Sequence, residues 1–521
     1  MQRLLAQVIS CSFLSWELVK SAQRLIETCD DLERELSVYS KSQDTLIAFY
    51  QTSLRKADQL HREFEQAVND CSNLDVAIDG VIALTRKIYR QLVEAVQFKF
   101  TAFVDTLGWP PQGCLSNTQV FDNKVAPHLK NSGFKVAYLM VDALRYELGY
   151  ELNKQLSEDA DATLYVAFST LPSITSLGMA SLLPNALQKL SLTLWEGKVK
   201  VLFDDKVIND VSSRMAVFRA QYGDRFQELD LRTFVRPSRK ADAVIKPSTD
   251  LLVLRSTEID SFFENHPEDA PSMMQRELKN IRLAVNKLQD QGFQKVIIAT
   301  DHGFYMNNAQ EVGDWVSKPD GDWKAEHERI LLGNGNLDAH HYSLSATQCG
   351  INTDIAKVAG PKSLAPYRKG MLYYHGGLSL QECLLPVIEI TLKPKAAKAV
   401  SKSNLLLDYK NGSKRITSRF AVIELKLEGY AHSIFDDLNE VTGIEILLEA
   451  HDAKNNVVGE AKPGEHVNAA TGAIVIEPGS TIKVTLKMNT DFEGKFKVKA
   501  LDPVTSTVLG IPLELETDYA V

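Results

Sequence analysis

Cysteine is scarce: 521 residues carry six (Cys11, Cys29, Cys71, Cys114, Cys349 and Cys383), none in a Cys-x-x-Cys pair and none regularly spaced. That excludes a disulfide framework or a zinc knuckle and fits reduced thiols in a cytoplasmic chain. No apolar run reaches about 18 residues, so no segment reads as crossing a membrane. The start, Met1 to Trp16, is apolar, but Gln2, Gln7, Ser10 and Ser12 interrupt it and no small-x-small cleavage site follows. It reads as helix, not as a secretory signal. A basic excess is also missing: 58 Lys and Arg face 67 Asp and Glu, a net charge of -9. This argues against a generically basic nucleic-acid coat, though net charge does not speak to a local basic patch. With 44% hydrophobic and 24% charged residues the chain is neither collagenous, mucin-like nor wholly disordered. Its length predicts roughly three domains.

Proline is absent from residues 1–109, and glycine occurs there only at Gly80 and Gly108. So few breakers predict helix, and Leu18, Val19, Ala22, Leu25 and Ile26 recur at helical spacing, as do Leu74, Ile78, Val81, Ile82 and Ile88. Two readings stay open: a bundle packed on a neighbouring domain, or an arm for a partner. Pro110-Pro111-Gln112-Gly113 ends the region. In 110–392, β-rich runs (Lys135–Val141, Leu251–Leu254, Lys295–Thr300, Met371–Tyr374) alternate with helical stretches such as Met273–Gln289. That alternation predicts an α/β domain, a mostly parallel sheet with helices on both faces. Residues 393–415 are lysine-rich and read as a linker, either a solvated tether or a nucleic-acid docking site. In 416–521, runs at Ala421–Leu427, Gly443–Leu448, Ala473–Ile476, Thr481–Met488 and Lys495–Leu501, punctuated by Gly, Pro, Asn and Asp, predict an all-β sandwich of immunoglobulin-like size.

Ligands of open α/β sheets sit at the carboxyl ends of the strands. Three predicted strands end on chemistry there: Asp142, then Asp301-His302-Gly303, then His375-Gly376-Gly377; the fourth leads through Ser256 and Glu258 to Asp260. Singly, each has a plain alternative, an N-cap for Asp142 and glycine-bearing turns for the two histidines. Together they form a mixed oxygen and nitrogen ligand set, which suits Zn²⁺ or Mn²⁺ better than Ca²⁺ or Mg²⁺. The segment Ser169 to Met179 adds clustered hydroxyls, with Pro172 placed for the first turn of a helix. A hydroxyl beside a divalent cation can ionise near neutral pH and attack phosphorus; an ordinary Ser/Thr cap is the alternative.

The combination of VDALRYEL (141–148), LPSITSLGMASLLP (171–184), STEID (256–260), ATDHGF (299–304) and HGGLSLQECLLPVIEI (375–390) resembles the PglZ family, a branch of the alkaline phosphatase superfamily associated with bacterial BREX phage-defence systems. The resemblance covers about Val136 to Ile390 and makes 110–392 an alkaline phosphatase-like PglZ domain. It implies a metal-dependent phosphatase or phosphodiesterase with two Zn²⁺ sites, Mn²⁺ being the alternative. Asp142, Asp301, His302 and the nucleophile would hold one ion, Asp260 and His375 the other. The family's threonine aligns best with Thr175; Thr170, two residues before Pro172, and Ser173 are the alternatives. No cysteine lies in this segment, which speaks against a formylglycine sulfatase.

One departure stands out. Superfamily relatives often place a histidine four residues after the second-site aspartate, where this chain has Glu264, with His266 two residues later. Glu264, His340 or His341 are the replacements to consider. Arg145 would contact phosphate or, better, pair with Glu147 or Glu151 on the surface. Longer family members have more sequence upstream, so a shortened member is expected. The resemblance further implies a cytoplasmic protein whose partners are other BREX proteins, such as a methyltransferase, and a phosphoester or nucleotide substrate. DNA contact would be indirect. A catalytically idle scaffold for the defence complex is the rival reading.

Overall fold

The structure, a computed structural model, describes residues 13–71, 76–158, 160–236, 244–265, 270–308, 315–345, 348–393, 405–410, 412–428, 443–468, 472–503 and 508–519. The start of the chain, His266 and most of the predicted lysine-rich linker lie outside the described residues. Two compact units emerge: residues 1–234, 243–278 and 293–393 form one, residues 235–242, 279–292 and 394–521 the other. Among the described residues no helix is long and apolar enough to cross a membrane.

The breaker-free start of the first unit folds as helices α1 (Phe13–Tyr39), α2 (Gln43–Phe49), α3 (Arg55–Asp70) and α4 (Val76–Leu107). A single π-turn, Tyr50–Leu54, joins α2 to α3. Leu18, Leu25 and Leu32 of α1 fall on one face and are buried where α1 packs on α3 and α4. These helices lie on the α/β layer. Arg62 of α3 is fully buried and pairs with Glu147 at 3.0 Å and Glu151 at 2.7 Å, and Gln97 of α4 donates to Leu378 O at 2.8 Å.

The central sheet has strands β1 (Val136–Val141), β2 (Asp161–Phe168), β3 (Phe226–Asp230), β4 (Leu251–Ser256), β5 (Lys295–Thr300) and β6 (Leu384–Thr391). Their order is β2-β6-β5-β1-β4-β3. β1 runs parallel to β4 and β5, β3 parallel to β4, and β6 antiparallel to both neighbours. All six residues of β1 are buried, which explains a continuous apolar run in place of alternation. Around the sheet lie α5 (Tyr146–Leu156), α6 (Thr175–Ser181), α7 (Val211–Tyr222), α8 (Glu258–Asn265) and α9 (Ala270–Asp290), α9 passing from the first unit into the second.

Two features depart from the sequence reading. The predicted strand Met371–Tyr374 shrinks to Tyr373–Tyr374, which pairs with Tyr305–Met306 outside the main sheet. Gly321–His327, Ile330–Gly335, His341–Ser345 and Lys357–Pro361 form a separate four-stranded antiparallel sheet.

Apart from the end of α9, the second unit is built of β-strands. Nine strands between Leu405 and Thr517 form one sheet, eight along a single hydrogen-bonded path and Ala473–Ile476 branching off it onto Ile444–His451, around a core that includes Ile423, Leu425, Leu448, Ile474, Leu486 and Val498. Within it Glu449 is fully buried and bonds Arg236 at 2.6 Å and His451 at 3.0 Å.

Candidate metal centre

The polar side chains come from the loops after β1 and β5, from the first turns of α6 and α8, and from the segment after Tyr373–Tyr374. After β1 the chain turns at Ala143, whose φ of 57° is left-handed, an uncommon conformation for a residue with a side chain. The turn aims the Ala143 N–H at Asp301 Oδ1 (3.1 Å), and the His302 N–H meets the same oxygen at 2.9 Å. Asp301 Oδ2 is thereby left facing inward, buried and without a hydrogen bond, and so is Asp142 Oδ1. These oxygens lie 3.4 Å and 3.6 Å from His302 Nε2. His302 Nδ1 lies 2.9 Å from Gly303 O, so it carries the proton and Nε2 presents the lone pair.

Thr175 is the first residue of α6, and its Oγ1 lies 3.0 Å from His302 Nε2. Pro172 does not begin the helix, which starts three residues later after Ile174. Gly178 explains the approach: a Cβ there would stand 2.7 Å from both Cβ and O of Asp301, so the helix can pack on the Asp301 loop only with glycine at this position. The other two hydroxyls are engaged elsewhere. Thr170 Oγ1 bonds Ser181 Oγ at 3.1 Å, and Ser173 Oγ donates to Gly377 O at 2.7 Å.

The second cluster lies alongside. The His375 ring stacks on His302 with centroids 4.0 Å apart, and its Nε2 is 3.9 Å from Asp260 Oδ1. Asp260 stands in the first turn of α8, not at a strand end, and accepts from the Tyr373 hydroxyl at 2.7 Å. His375 is oriented by Ser173 O, 3.1 Å from its Nδ1, and by Glu328, which accepts its backbone N–H at 2.9 Å. Ligand atoms of Asp142, Asp301 and His302 all lie within 4.8 Å of one another, as do those of Asp260, His302 and His375.

The electrostatics match the chemistry of this donor set. Burial, then the charges of Asp301 and Asp260, hold the Asp142 carboxyl well above the usual carboxylate range. Burial likewise pushes Asp301 up to about 7, against the lowering by its N–H bonds. Burial also lowers both His302 and His375, keeping the imidazoles neutral. Crowded carboxylates with orphaned oxygens beside two neutral imidazoles fit a divalent cation, whose charge would relieve the repulsion and satisfy those oxygens.

Other sequence expectations fall away from this cluster. Glu264 is exposed on α8, His340 is exposed, and His341 is buried against Asp338 (2.6 Å) and the Tyr367 ring. Arg145 is not on the surface. It is fully buried 3.5 Å from Asp58, while Glu147 and Glu151 pair with Arg62. The sequence reading passed over Arg214 on α7. Its guanidinium is buried and donates to Asn209 O at 3.3 Å, and the charges of Asp301 and Asp142 offset part of the desolvation that lowers its pKa. It also passed over Glu328, Tyr373 and the buried Arg329–Glu382 pair. Glu382 accepts the Gly377 N–H at 3.0 Å and so fixes the loop after His375. Such residues follow no local spacing and become visible only as neighbours in space.

An α/β layer whose strand-end loops and helix starts bring together aspartates, histidines and a threonine defines a domain of the alkaline phosphatase-like class. The sequence model of the BREX system PglZ alkaline phosphatase-like domain matches residues 120–390, and the chain belongs to the PglZ family. It is 26% identical over 312 residues to the alkaline phosphatase-like protein BrxZ of Escherichia coli O9:H4 (strain HS), covering 56% of this chain and 34% of that protein. To the alkaline phosphatase-like protein PglZ of Bacillus cereus (strain H3081.97) it is 24% identical over 335 residues, covering 62% of this chain and 38% of that one. The chain therefore spans little more than a third of the length of these curated relatives. Murine ectonucleotide pyrophosphatase/phosphodiesterase 5, inactive and in complex with AMP, superposes with a TM-score of 0.34 at 11% identity, covering 49% of this chain and 87% of that one.

Proposed function

We propose that this chain is a divalent-metal-dependent phosphoric ester hydrolase, a phosphodiesterase or phosphatase, working in a BREX-type bacterial defence system against phage. The observation that supports it best is the convergence of Thr175 Oγ1, His302 Nε2 and the orphaned oxygens of Asp142 and Asp301. In this reading Asp142, Asp301 and His302 hold one ion, Asp260 and His375 a second, with Zn²⁺ the best match and Mn²⁺ the alternative. The cation supplies Lewis-acid stabilisation to an ionised hydroxyl and to the leaving oxygen. Thr175 gives its proton to solvent water and Oγ1 attacks phosphorus in line. A P–O bond to Thr175 forms, the ester P–O bond breaks, and the leaving alcohol takes the electron pair and a proton. Water then cleaves the phosphothreonine. Arg214, whose guanidinium feels the charges of Asp301 and Asp142, is the cation assigned here to orient the phosphate oxygens. The substrate is a phosphoester or nucleotide, and the partners are other BREX proteins such as a methyltransferase, any DNA contact passing through them.

The test is turnover of bis-p-nitrophenyl phosphate and p-nitrophenyl phosphate by the metal-reconstituted chain. Activity that Thr175→Ala and Asp301→Ala both abolish supports the reading. Activity that survives Thr175→Ala but not Thr170→Ala moves the nucleophile. A folded protein inert with Zn²⁺ and Mn²⁺ refutes it.

A second reading, the idle scaffold, is favoured by one observation. His302 presents a single lone pair, so once it serves Asp142 and Asp301, only Asp260 and His375 remain for the second ion. Metal titration separates the readings: two ions of unequal affinity accord with the hydrolase, and no uptake leaves the scaffold.

A further inference from the structure

We infer that the N-terminal helices form the floor of the metal centre, and that the buried Asp58–Arg145 pair is the positioning device through which they set its ligand loops. This rests on the metal-site reading above.

Arg145 follows Asp142 by three residues and is fully buried. Its stem packs on Gly303, where a Cβ would stand 3.3 Å from Arg145 Cγ and 2.1 Å from Gln381 O. The guanidinium lies over the Phe304 ring, 5.1 Å from its centroid. One side chain thus touches both the Asp142 loop and the Asp301-His302 loop. At its far end, Nη2 lies 3.5 Å from Asp58 Oδ2 on α3, while none of the guanidinium nitrogens makes a hydrogen bond.

Asp58 is held from three sides: by the Tyr50 hydroxyl at 2.6 Å, the Tyr89 hydroxyl of α4 at 2.7 Å and Gln381 Nε2 at 3.3 Å. Gln381 belongs to the segment after His375, and Leu378 O in that segment takes the Gln97 amide of α4. The third ligand loop is therefore tied to the same carboxylate. Residues 50–97 all precede the segment 120–390 that matches the family.

A buried ion pair is a poor device for stability alone, because a well-packed apolar pair of similar volume does as well or better. What this pair provides is direction: a guanidinium of fixed reach, anchored on helices, spanning two ligand loops while its partner holds the third. The helices are accordingly part of the site and not a separable arm.

The experiment uses the full chain and compares wild type, Asp58→Ala, Asp58→Ala/Arg145→Met and Asp58→Asn by thermal unfolding, Zn²⁺ titration and the visible absorption of bound Co²⁺. Asp58→Ala, which leaves the guanidinium buried and unpaired, is expected to melt lower. The double variant regains stability, yet binds Zn²⁺ at least tenfold more weakly and with an altered Co²⁺ spectrum. Wild-type affinity and spectrum in the double variant would overturn the inference and leave a purely structural pair. If the double variant does not fold, near-isosteric Asp58→Asn decides by the same two readouts. Absence of metal uptake by folded wild type would instead refute the metal-site reading, and the inference with it.

Discussion

Thr175 and Asp301 carry the sharpest consequences at the scale of single residues. Thr175 makes one contact to the cluster, at 3.0 Å, and contributes none of the carboxylate oxygens, so removing it need not empty the site. Thr175→Ala should lose roughly 10³-fold or more in turnover while retaining metal, and Thr175→Ser should keep a measurable fraction because the hydroxyl survives. Asp301→Asn should fail earlier, at metal uptake. Calorimetric Zn²⁺ titration beside steady-state kinetics distinguishes the two failures. Arg214 makes a different prediction. A charged hydrogen bond to phosphate is worth about 1.5–3 kcal/mol, so Arg214→Ala should lower kcat/KM about 10- to 100-fold with metal stoichiometry unchanged. An unchanged kcat/KM would remove Arg214 from the site. The sequence displays Asp142, Asp301, His302 and His375 because each follows a short apolar run. Arg214 and Glu328 sit in no such frame, and Arg145 was legible as a residue but not as a buried one, since its partner Asp58 lies 87 positions upstream.

The elements were legible wherever a period or an absence was strong. Lys295–Thr300, Ala473–Ile476, Thr481–Met488 and Lys495–Leu501 are strands over the residues read from pattern. β2, β3 and β6 carry no strand pattern that the sequence reading picked out. β6 follows the helical turn Leu380–Cys383 directly and contains Pro386, so nothing local announces a strand. The helices were foreseen from missing breakers, but not the ionic contacts along them. On α3, Glu65 is buried. Burial would raise its pKa, but hydrogen bonds from His61 and Arg86 outweigh this and lower it from its ordinary 4.5 to about 2. A carboxylate depressed on folding adds stability above its unfolded pKa and loses it as pH falls toward the folded value. The contribution, on the order of 3 kcal/mol, should be full above about pH 4.5 and fade toward pH 2. Urea unfolding of wild type and Glu65→Gln across that range checks it: the variant should be less stable at pH 5, and the gap should close on acidification. A gap independent of pH would mean the pairing does not act through ionisation.

On the scale of the whole molecule, all six candidate site residues belong to the first compact unit, while Glu449 lies in the second. Glu449 is fully buried, and the charges of Arg236 and Lys279 overcome burial and hold its carboxyl well below the usual range. Removing one charge from such a cluster leaves the others uncompensated, at a cost of about 3–5 kcal/mol. Binding of metal to the first unit, in contrast, stabilises only the state that carries the site. The two perturbations should therefore act on different parts of a thermal unfolding profile. Added Zn²⁺ should raise one transition; Glu449→Gln should lower the other and leave Zn²⁺ affinity within about threefold of wild type. Calorimetry of both proteins with and without metal reads both effects at once. If Glu449→Gln weakened Zn²⁺ binding tenfold, the β unit would have to be counted as part of the site's support, as the N-terminal helices are. If instead both perturbations moved a single shared transition, the two units would unfold as one, and the all-β region would contribute to the metal centre through global stability alone.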